Sequence, residues 1–431
     1  MKRFLTAALL LAGCQVAMGE DLLQLYQRAQ QNDPQIRAAR ATRLAAGQAK
    51  PIARAGLLPN LSAGGNVDYN NRDVKGGSDS SYTSRDAALS VTQPLYRRDR
   101  LIRLDQADDQ IAQAEANLQL AEQALRLRVA QAYFGVLAAQ DNLTFSEAEK
   151  EAIARQLDQA KRRFEVGLIA ITGVHEAQAR YDASRANVIT VRNQLDNAFE
   201  VLREIVGGEV DNLLKLEDPI PLTMPVPADL GHWTQVALDN NPAVVAARYQ
   251  LAVAREEIEV QRSGHYPSLD LVGSYGLSRN SFTGAGSSDV DSASIGVQLA
   301  VPLYAGGGVS AATTQARFNS EAARENLEQQ QRSASRQVRD SYRGMEASIS
   351  RVEALKAGTV SAASALEATQ AGFDVGTRTL VDVLNAQSEL FRSERDYAQS
   401  RYDYVLNLLL LKQAAGTVSG EDLAKVNAWL K

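Results

Sequence analysis

The side chains that most often carry chemistry are few in this chain, and their spacing does not let them act together. The three histidines, His175, His232 and His265, show no metal-ligand spacing and have no cysteine partner. The single cysteine, Cys14, excludes an internal disulfide. Neither a nucleophile elbow nor a Walker motif is present, and a formal net charge of −5 does not indicate a nucleic-acid partner. We therefore predict that the protein is not an enzyme and has neither a cofactor nor a metal site.

Three consecutive glycines, Gly306-Gly307-Gly308, raise the alternative of a phosphate-binding loop. Such a loop follows a buried strand and opens a helix in a βαβ unit. The residues before these glycines alternate between apolar and other types instead, as in a half-exposed strand. We interpret the glycines as a hinge between a strand and a helix.

A long helical pattern in each half of the chain is interrupted by a Val-Gly pair, at Val166-Gly167 and at Val375-Gly376. A glycine after a helix supplies the left-handed residue that lets the chain turn back. Thr172 and Thr379 follow, where the next helices begin and where hydroxyl caps are favoured. Apolar spacings of three and four, typical of a coiled coil, predict two helical hairpins, with helices over about 98–164, 172–207, 309–374 and 379–415.

The two hairpins belong to two copies of one unit. Pro34 is equivalent to Pro242 and Pro59 is equivalent to Pro267, each pair being 208 positions apart. Gly167 is equivalent to Gly376, 209 positions farther along. A register kept over so much chain indicates a duplication. The predicted organisation is a signal peptide (1–19), a first repeat (20–207), a connector (208–230), a second repeat (231–416) and a C-terminal segment (417–431).

The N-terminal segment has the composition of a secretory signal peptide. Lys2 and Arg3 are followed by an apolar run and by small residues before Glu20, where we expect cleavage. Leu11-Ala12-Gly13-Cys14 also matches a lipobox, which would instead leave a lipidated Cys14 as the mature N-terminus. Farther along, no apolar run approaches the roughly 20 residues of a membrane helix.

Each repeat also contains two stretches that alternate between an apolar and a polar face. Period-two alternation predicts β-strands over about 60–70, 84–95, 268–279 and 291–302. Strands of this length and pattern are typical of a transmembrane barrel. An ordinary antiparallel sheet on a core is the alternative, but the facing residues are small and no bulky helix is available to cover it. Prolines are expected at all four junctions between strand and helix: Pro59, Pro94, Pro267 and Pro302.

Four strands cannot close a barrel, and an open edge in lipid leaves backbone groups without hydrogen bonds. Two copies would give eight strands with a filled interior, whereas three copies give twelve strands and room for a lumen. Because the residues on the polar face are small, we favour three copies. The predicted fold class is an α+β membrane protein, in which a trimeric 12-stranded antiparallel β-barrel, four strands per chain, continues into a long α-helical coiled-coil barrel.

Several stretches resemble the TolC-type family of outer-membrane efflux and secretion channels, most densely at Lys150 to Gln159, Arg163 to Leu168 and Val375 to Leu384. The resemblance covers essentially the whole chain after the signal peptide. It implies a homotrimer in the outer membrane of a Gram-negative bacterium, with its helical part in the periplasm. The family's members export proteins by type I secretion, or small toxic compounds, and are recruited by a periplasmic adaptor and an inner-membrane ABC or proton-driven transporter. The alternative is a lipid-anchored periplasmic coiled-coil structural protein.

The resemblance also assigns roles around the two Val-Gly turns. It places adaptor docking at Gly167, Leu168, Gly376 and Thr377. It places the periplasmic gate and constriction at Thr172, Gly173, Phe373, Arg378, Asp382 and Asn385. Three of these depart from the family's pattern: Gly173 replaces an aspartate, Phe373 a tyrosine and Asn385 a second acid. We therefore expect a gate with fewer polar links, with one acidic ring instead of two, and weaker closure than in TolC-type channels.

Overall fold

The computed structural model describes residues 19–73, 75–76, 80–282 and 286–431. The expected signal peptide up to residue 18, including the lipobox at Cys14, lies outside these residues. The described chain forms α1 (Leu22–Asn32), α2 (Pro34–Ala46), α3 (Ala49–Ala55), β1 (Asn60–Arg72), β2 (Ser80–Tyr96), α4 (Arg98–Glu165), α5 (Ile171–Val206), α6 (Leu230–Asn240), α7 (Pro242–Arg262), β3 (Ser268–Phe282), β4 (Gly286–Ala300), α8 (Gly308–Asp374), α9 (Leu380–Ala414) and α10 (Gly420–Asn427). Among the described residues, no helix is both long and apolar enough to cross a lipid bilayer.

The chain divides into two compact units, and these are not the two sequence repeats. Unit 1 contains the described part of Met1–Arg37 together with Ala121–Asn241 and Ala334–Lys431. Unit 2 contains Ala38–Leu120 and Pro242–Ser333. Each unit takes segments from both repeats, so equivalent segments of the two repeats fold together.

Unit 2 contains one antiparallel sheet in the order β1-β2-β3-β4. The register carries the predicted apolar face across all four strands, since Leu61 pairs with Val91, Val91 with Gly273, and Gly273 with Ile295. On the other face, serines bond across the ladders, as in the 2.8 Å contact between the hydroxyls of Ser274 and Ser294. The strands run farther toward the two connecting loops than the alternation alone indicated, because most of the added residues are polar and do not alternate with apolar ones.

The strand prolines follow the prediction at three of four positions. Pro59 and Pro267 directly precede β1 and β3, and Pro302 follows β4. Pro94 lies inside β2, so its predicted place at a junction between strand and helix is wrong. The pairing of β2 with β3 shifts register between Pro94 and Tyr96, and such an irregularity tolerates a residue that has no N–H to donate.

Unit 1 is helical, and its described residues include two hydrophobic clusters of buried side chains. One cluster packs α6 against α8 and α9 through buried residues that include Trp233, Val338 and Leu411. The indole N–H of Trp233 donates to the carbonyl oxygen of Pro227 at 2.8 Å, so its one polar atom is satisfied. The other cluster lies next to the two Val-Gly turns, where α4 and α5 meet α8 and α9.

Candidate gate at the two helical turns

The first turn, between α4 and α5, is a Schellman motif centred on Gly167. The N–H of Gly167 donates to the carbonyl oxygen of Phe164 at 2.9 Å, and that of Leu168 donates to Arg163 at 2.8 Å. Gly167 has a φ of 77°, which a residue with a Cβ adopts only under strain. The two bonds satisfy carbonyl groups that the end of α4 leaves free, and the left-handed residue reverses the chain.

The second turn, between α8 and α9, repeats this motif around Gly376, which has a φ of 82°. The N–H of Gly376 donates to Phe373 at 3.1 Å, and that of Thr377 donates to Gly372 at 2.8 Å. The Thr377 hydroxyl also donates to the Gly372 carbonyl at 3.0 Å, a bond that Leu168 cannot make at the equivalent position. The two turns thus share a backbone and differ in their side chains.

The helices that follow the turns begin differently. Thr379 is the N-cap of α9, and its hydroxyl accepts the N–H of Asp382 at 3.2 Å. The Asp382 carboxylate accepts the N–H and the hydroxyl of Thr379, each at 2.9 Å, which completes a capping box. At the start of α5 the N-cap is Ala170, and Thr172 lies inside the helix. The expectation of a hydroxyl cap is therefore right for Thr379 and wrong for Thr172.

The capping box also sets the charge of Asp382. The backbone N–H and then the hydroxyl of Thr379 hold the pKa of Asp382 below its ordinary value, and the positive charge of Arg378 adds to this effect. Both bonds end on Oδ2, while Oδ1 accepts no hydrogen bond from the part of the chain that the structure describes. Asp382 is thus an ionised carboxylate, fixed on the first turn of α9 with one oxygen open to other ligands.

Arg163 joins the two hairpins, although the sequence did not identify it as a site residue. Its guanidinium lies 4.4 Å from the centre of the Phe373 ring, and its Nη2 is 2.9 Å from Oδ1 of Asp374. Phe373 is only 7% exposed, so its ring is part of the core. The position equivalent to Arg163 in the second repeat is Gly372, so comparison of the two repeats did not identify Arg163.

A hydrophobic cluster beneath this contact holds the hairpins together. It contains Ile153, Leu157, Ala160, Ala177, Phe373, Leu380, Val383 and Leu384. Farther along, Arg180 on α5 donates to the side-chain oxygen of Asn385 on α9 at 2.8 Å. The neutral Asn385 is therefore bonded to an arginine of the other hairpin.

The remaining predicted gate residues make few contacts within the chain. Thr172 and Arg378 are exposed, and neither side chain has a hydrogen-bond partner among the described residues. The Arg378 side chain packs on Gly372, where a Cβ added to the glycine would lie 2.7 Å from the arginine Cγ. At Gly173 an added Cβ would lie 3.6 Å from the Cδ1 of Ile169 and 3.9 Å from a methyl group of Leu380, so a side chain has room there.

Between the two turns lies a cleft of about 790 Å³. It brings together six of the ten predicted site residues: Thr172, Gly173, Phe373 and Arg378 of the gate, and Leu168 and Gly376 of the docking turns. Gly167, Thr377, Asp382 and Asn385 do not line it. The cleft therefore combines the unpaired Arg378 with residues of both turns and with two acids, Glu176 and Asp374, while Asp382 lies outside it.

Residues 25–208 and 233–417 each match the model of a family described as outer membrane efflux protein, and the chain belongs to this family. It is similar to the outer membrane protein TolC of Vibrio cholerae serotype O1, with 43% identity covering 96% of this chain and 94% of that protein. It is 31% identical to the alkaline protease secretion protein AprF of Pseudomonas aeruginosa, covering 99% of this chain and 92% of that protein. The Campylobacter jejuni CmeC outer membrane channel has the same fold, with a TM-score of 0.81 at 16% identity over 96% and 90% of the two chains.

Proposed function

We propose that the chain is one subunit of a homotrimeric channel that carries proteins, small toxic compounds or both across the periplasm and the outer membrane. As a member of its family the chain is an outer-membrane protein with a periplasmic helical part. Its relatives include a protein named for protease secretion and solved outer membrane channels. These relatives support a non-enzymatic export channel, and none of them supports a lipid-anchored structural protein.

The proposal of a barrel rests on the four-stranded sheet. One of its faces is apolar and uncovered, and Ile295 on that face is 81% exposed. Exposed apolar area of this kind is unfavourable in water, by about 25 cal/mol per Å², and favourable against lipid. Over the described residues, β1 pairs only with β2 and β4 only with β3, so both edges carry backbone groups free to pair.

Such edges cannot remain open within a bilayer, because each unpaired backbone group there costs several kcal/mol. The simplest partner for β1 of one copy is β4 of the next, which closes a ring of identical subunits. Twelve strands from three copies enclose a lumen lined by the small polar residues of the inner face. An oligomer mass and single-channel currents test this closure together: the purified protein should be a trimer and should conduct ions in a planar bilayer. A monomer, or a trimer without currents, would contradict it.

The turns are proposed as the periplasmic entrance and as the docking site for an adaptor. Val166, Leu168 and Val375 are 69, 72 and 77% exposed, although they are apolar. Three such side chains at the tips of two hairpins form a surface suited to a protein partner. Within each subunit Arg163 would hold the hairpins together, while the unpaired Thr172 and Arg378 remain available to a neighbouring subunit. Three copies of Asp382 would form one acidic ring.

We also propose the domain division stated from the sequence, with cleavage before Glu20. The two stretches that match the family model nearly coincide with the two repeats. The Glu20 nitrogen donates to the carbonyl oxygen of Asn212 at 2.8 Å, a bond that a new α-amino group at this position would still make. Mass spectrometry of the N-terminus distinguishes an unmodified Glu20 from a lipidated Cys14.

The class of cargo is open to a direct test in cells. A deletion strain should lose secretion of a protein substrate, become sensitive to toxic compounds, or show both defects. Complementation with the wild-type gene should restore whichever defect appears. A strain with neither defect would contradict export as the function.

A further inference from the structure

The apolar face of the sheet ends at a row of charged side chains near the connecting loops. Arg85 on β2 lies opposite Arg279 on β3, and Arg279 lies opposite Asp289 on β4. All three are on the same face as the next row, in which Ala87 pairs with Leu277 and Leu277 pairs with Asp291. The charged row therefore projects from the same face as the apolar residues.

The two arginines of this row do not have equal partners. Arg279 is 3.4 Å from a carboxylate oxygen of Asp289 and 2.6 Å from one of Asp291. Arg85 is exposed and has no ion-pair partner in the described chain. Directly opposite residues on neighbouring antiparallel strands have Cβ atoms about 5 Å apart, and like charges in such pairs repel. Asp289 and Asp291 offset the charge of Arg279 but not that of Arg85, so an anion that contacts both guanidinium groups would supply the missing counter-charge.

A groove of about 370 Å³ leads down the sheet from these arginines. Gly65 pairs with Ala87 on its floor, and Val67 and Leu277 also line it, so its lower part is shallow and apolar. Arg85 and Arg279 line the same groove. Asn66 and Asp86 line it as well. A groove with apolar residues along its length and two guanidinium groups at one end matches an amphiphile with an anionic headgroup and a hydrocarbon chain.

The position of this groove agrees with the thickness of a membrane. On β3, apolar residues occupy this face from Leu269 to Leu277, a length of about 27 Å at roughly 3.4 Å per residue. Outer-membrane barrels present an apolar band about 25 Å tall. The strands connect to the long helices at the Leu269 end, and the helical part is periplasmic. The arginine row therefore lies at the level of the headgroups of the outer leaflet.

We propose that Arg85 and Arg279 bind the phosphate of a phosphorylated glycolipid in the outer leaflet, with an acyl chain of that lipid in the groove. Guanidinium groups bind phosphate through two parallel charge-assisted hydrogen bonds, which suits paired arginines better than lysines. Arg85 supplies the free cation, and Arg279 supplies a second one that Asp289 and Asp291 hold in place. This inference rests on the proposed barrel, because only in the barrel does this face contact lipid.

The test uses the purified full-length trimer and lipid A bisphosphate, whose binding is measured by native mass spectrometry and by titration in nanodiscs. Arg85→Gln should weaken binding at least about tenfold, as expected from the loss of a hydrogen-bonded charge. Arg85→Lys, which keeps the charge and the fold, should restore binding only in part. The matched control is Arg72→Gln, since Arg72 is exposed on β1 of the same sheet but lies on its other face.

Each outcome decides one point. Equal binding by Arg85→Gln and wild type, or equal binding of lipid A and its dephosphorylated form, would overturn the proposal. Inorganic phosphate that displaces lipid A completely at millimolar concentration would also overturn it, because the site would then be one for free phosphate. Trimer mass and conductance are measured on the same preparations. A conducting trimer without selective binding refutes the lipid site alone, whereas a wild-type protein that forms no trimer refutes the barrel as well.

Discussion

The contact of Arg163 with the second hairpin should hold the proposed gate closed, and Arg163→Ala should loosen it. The ion pair with Asp374 is partly exposed, so its contribution is about 0.2–1 kcal/mol. Stacking of the guanidinium on the Phe373 ring adds about 0.5–1 kcal/mol at a site of this kind. Together they amount to about 0.7–2 kcal/mol in each subunit, a factor of about 3–30 in an equilibrium constant.

Single-channel recording in planar bilayers measures this effect as the ratio of open to closed time. Arg163→Ala should raise that ratio by at least about threefold, since the loss in even one subunit is of that size. The control is Arg162→Ala, which removes the neighbouring arginine. Arg162 is 78% exposed on its side chain, and its ion pair, at 2.8 Å, is with Asp158 of the same helix. This variant should leave the currents unchanged.

A double-mutant cycle with Asp374→Ala identifies the interaction responsible. If the ion pair holds the hairpins, the two single variants and the double variant should not add, because either one alone removes the pair. Equal open times for wild type, Arg163→Ala and Arg162→Ala would refute the reasoning. Fully additive effects would attribute any change to the stacking on Phe373 and not to the ion pair.

Three further outcomes are expected near the same turns. Block of the current by multivalent cations should depend on the Asp382 carboxylate, so Asp382→Ala should weaken the block. In the wild type the block should persist as pH falls past the ordinary pKa of aspartate. The reason is that the pKa of Asp382 is lowered and the block is lost only when this carboxylate is protonated. Thr379→Ala removes both bonds that the Thr379 hydroxyl makes in the capping box, so this variant should lose the block at a higher pH than the wild type. Thr172→Ala, at a position without a cap, should lose the block at the same pH as the wild type. An equal shift in both variants would contradict the role of the cap. Gly173→Asp places a carboxylate in the cleft that Arg378 lines, at a position with room for it, and should lower the open time; unchanged currents would show that the two side chains do not meet.

Much of the fold follows from periodicity, and the strands show why. Period-two alternation is local, so it identifies which face of each strand is apolar without knowledge of its neighbours. The structure brings those faces together in one register, as in the row that joins Leu61 to Ile295. Strand ends were underestimated where both faces are polar, as they are near Ser80 and Ser287, because alternation then carries no signal.

The side-chain links between hairpins could not be predicted in this way. Arg163 and Asp374 are far apart in sequence, and only the packing of α4 against α8 brings them within 2.9 Å. The repeat did not help, because the equivalent positions, Gly372 and Glu165, cannot form the same pair. Resemblance to a family transfers roles between matched positions and is silent about a contact specific to this chain.

The two hairpins share a backbone motif but divide the chemistry between them. Near the turns the first supplies the donors, Arg163 and Arg180, and the second supplies the acceptors, Asp374 and Asn385. Farther from the turns the direction is reversed, since Arg395 of α9 donates to Glu149 of α4 at 3.1 Å. An acid in place of Asn385 would lie beside Arg180 and would be largely neutralised by it. The loss of that acid thus removes less negative charge from the proposed constriction than the family resemblance implied. The expected weakness of the gate then depends mainly on Gly173, which adds no further acid to the cleft that Arg378 shares with Glu176 and Asp374.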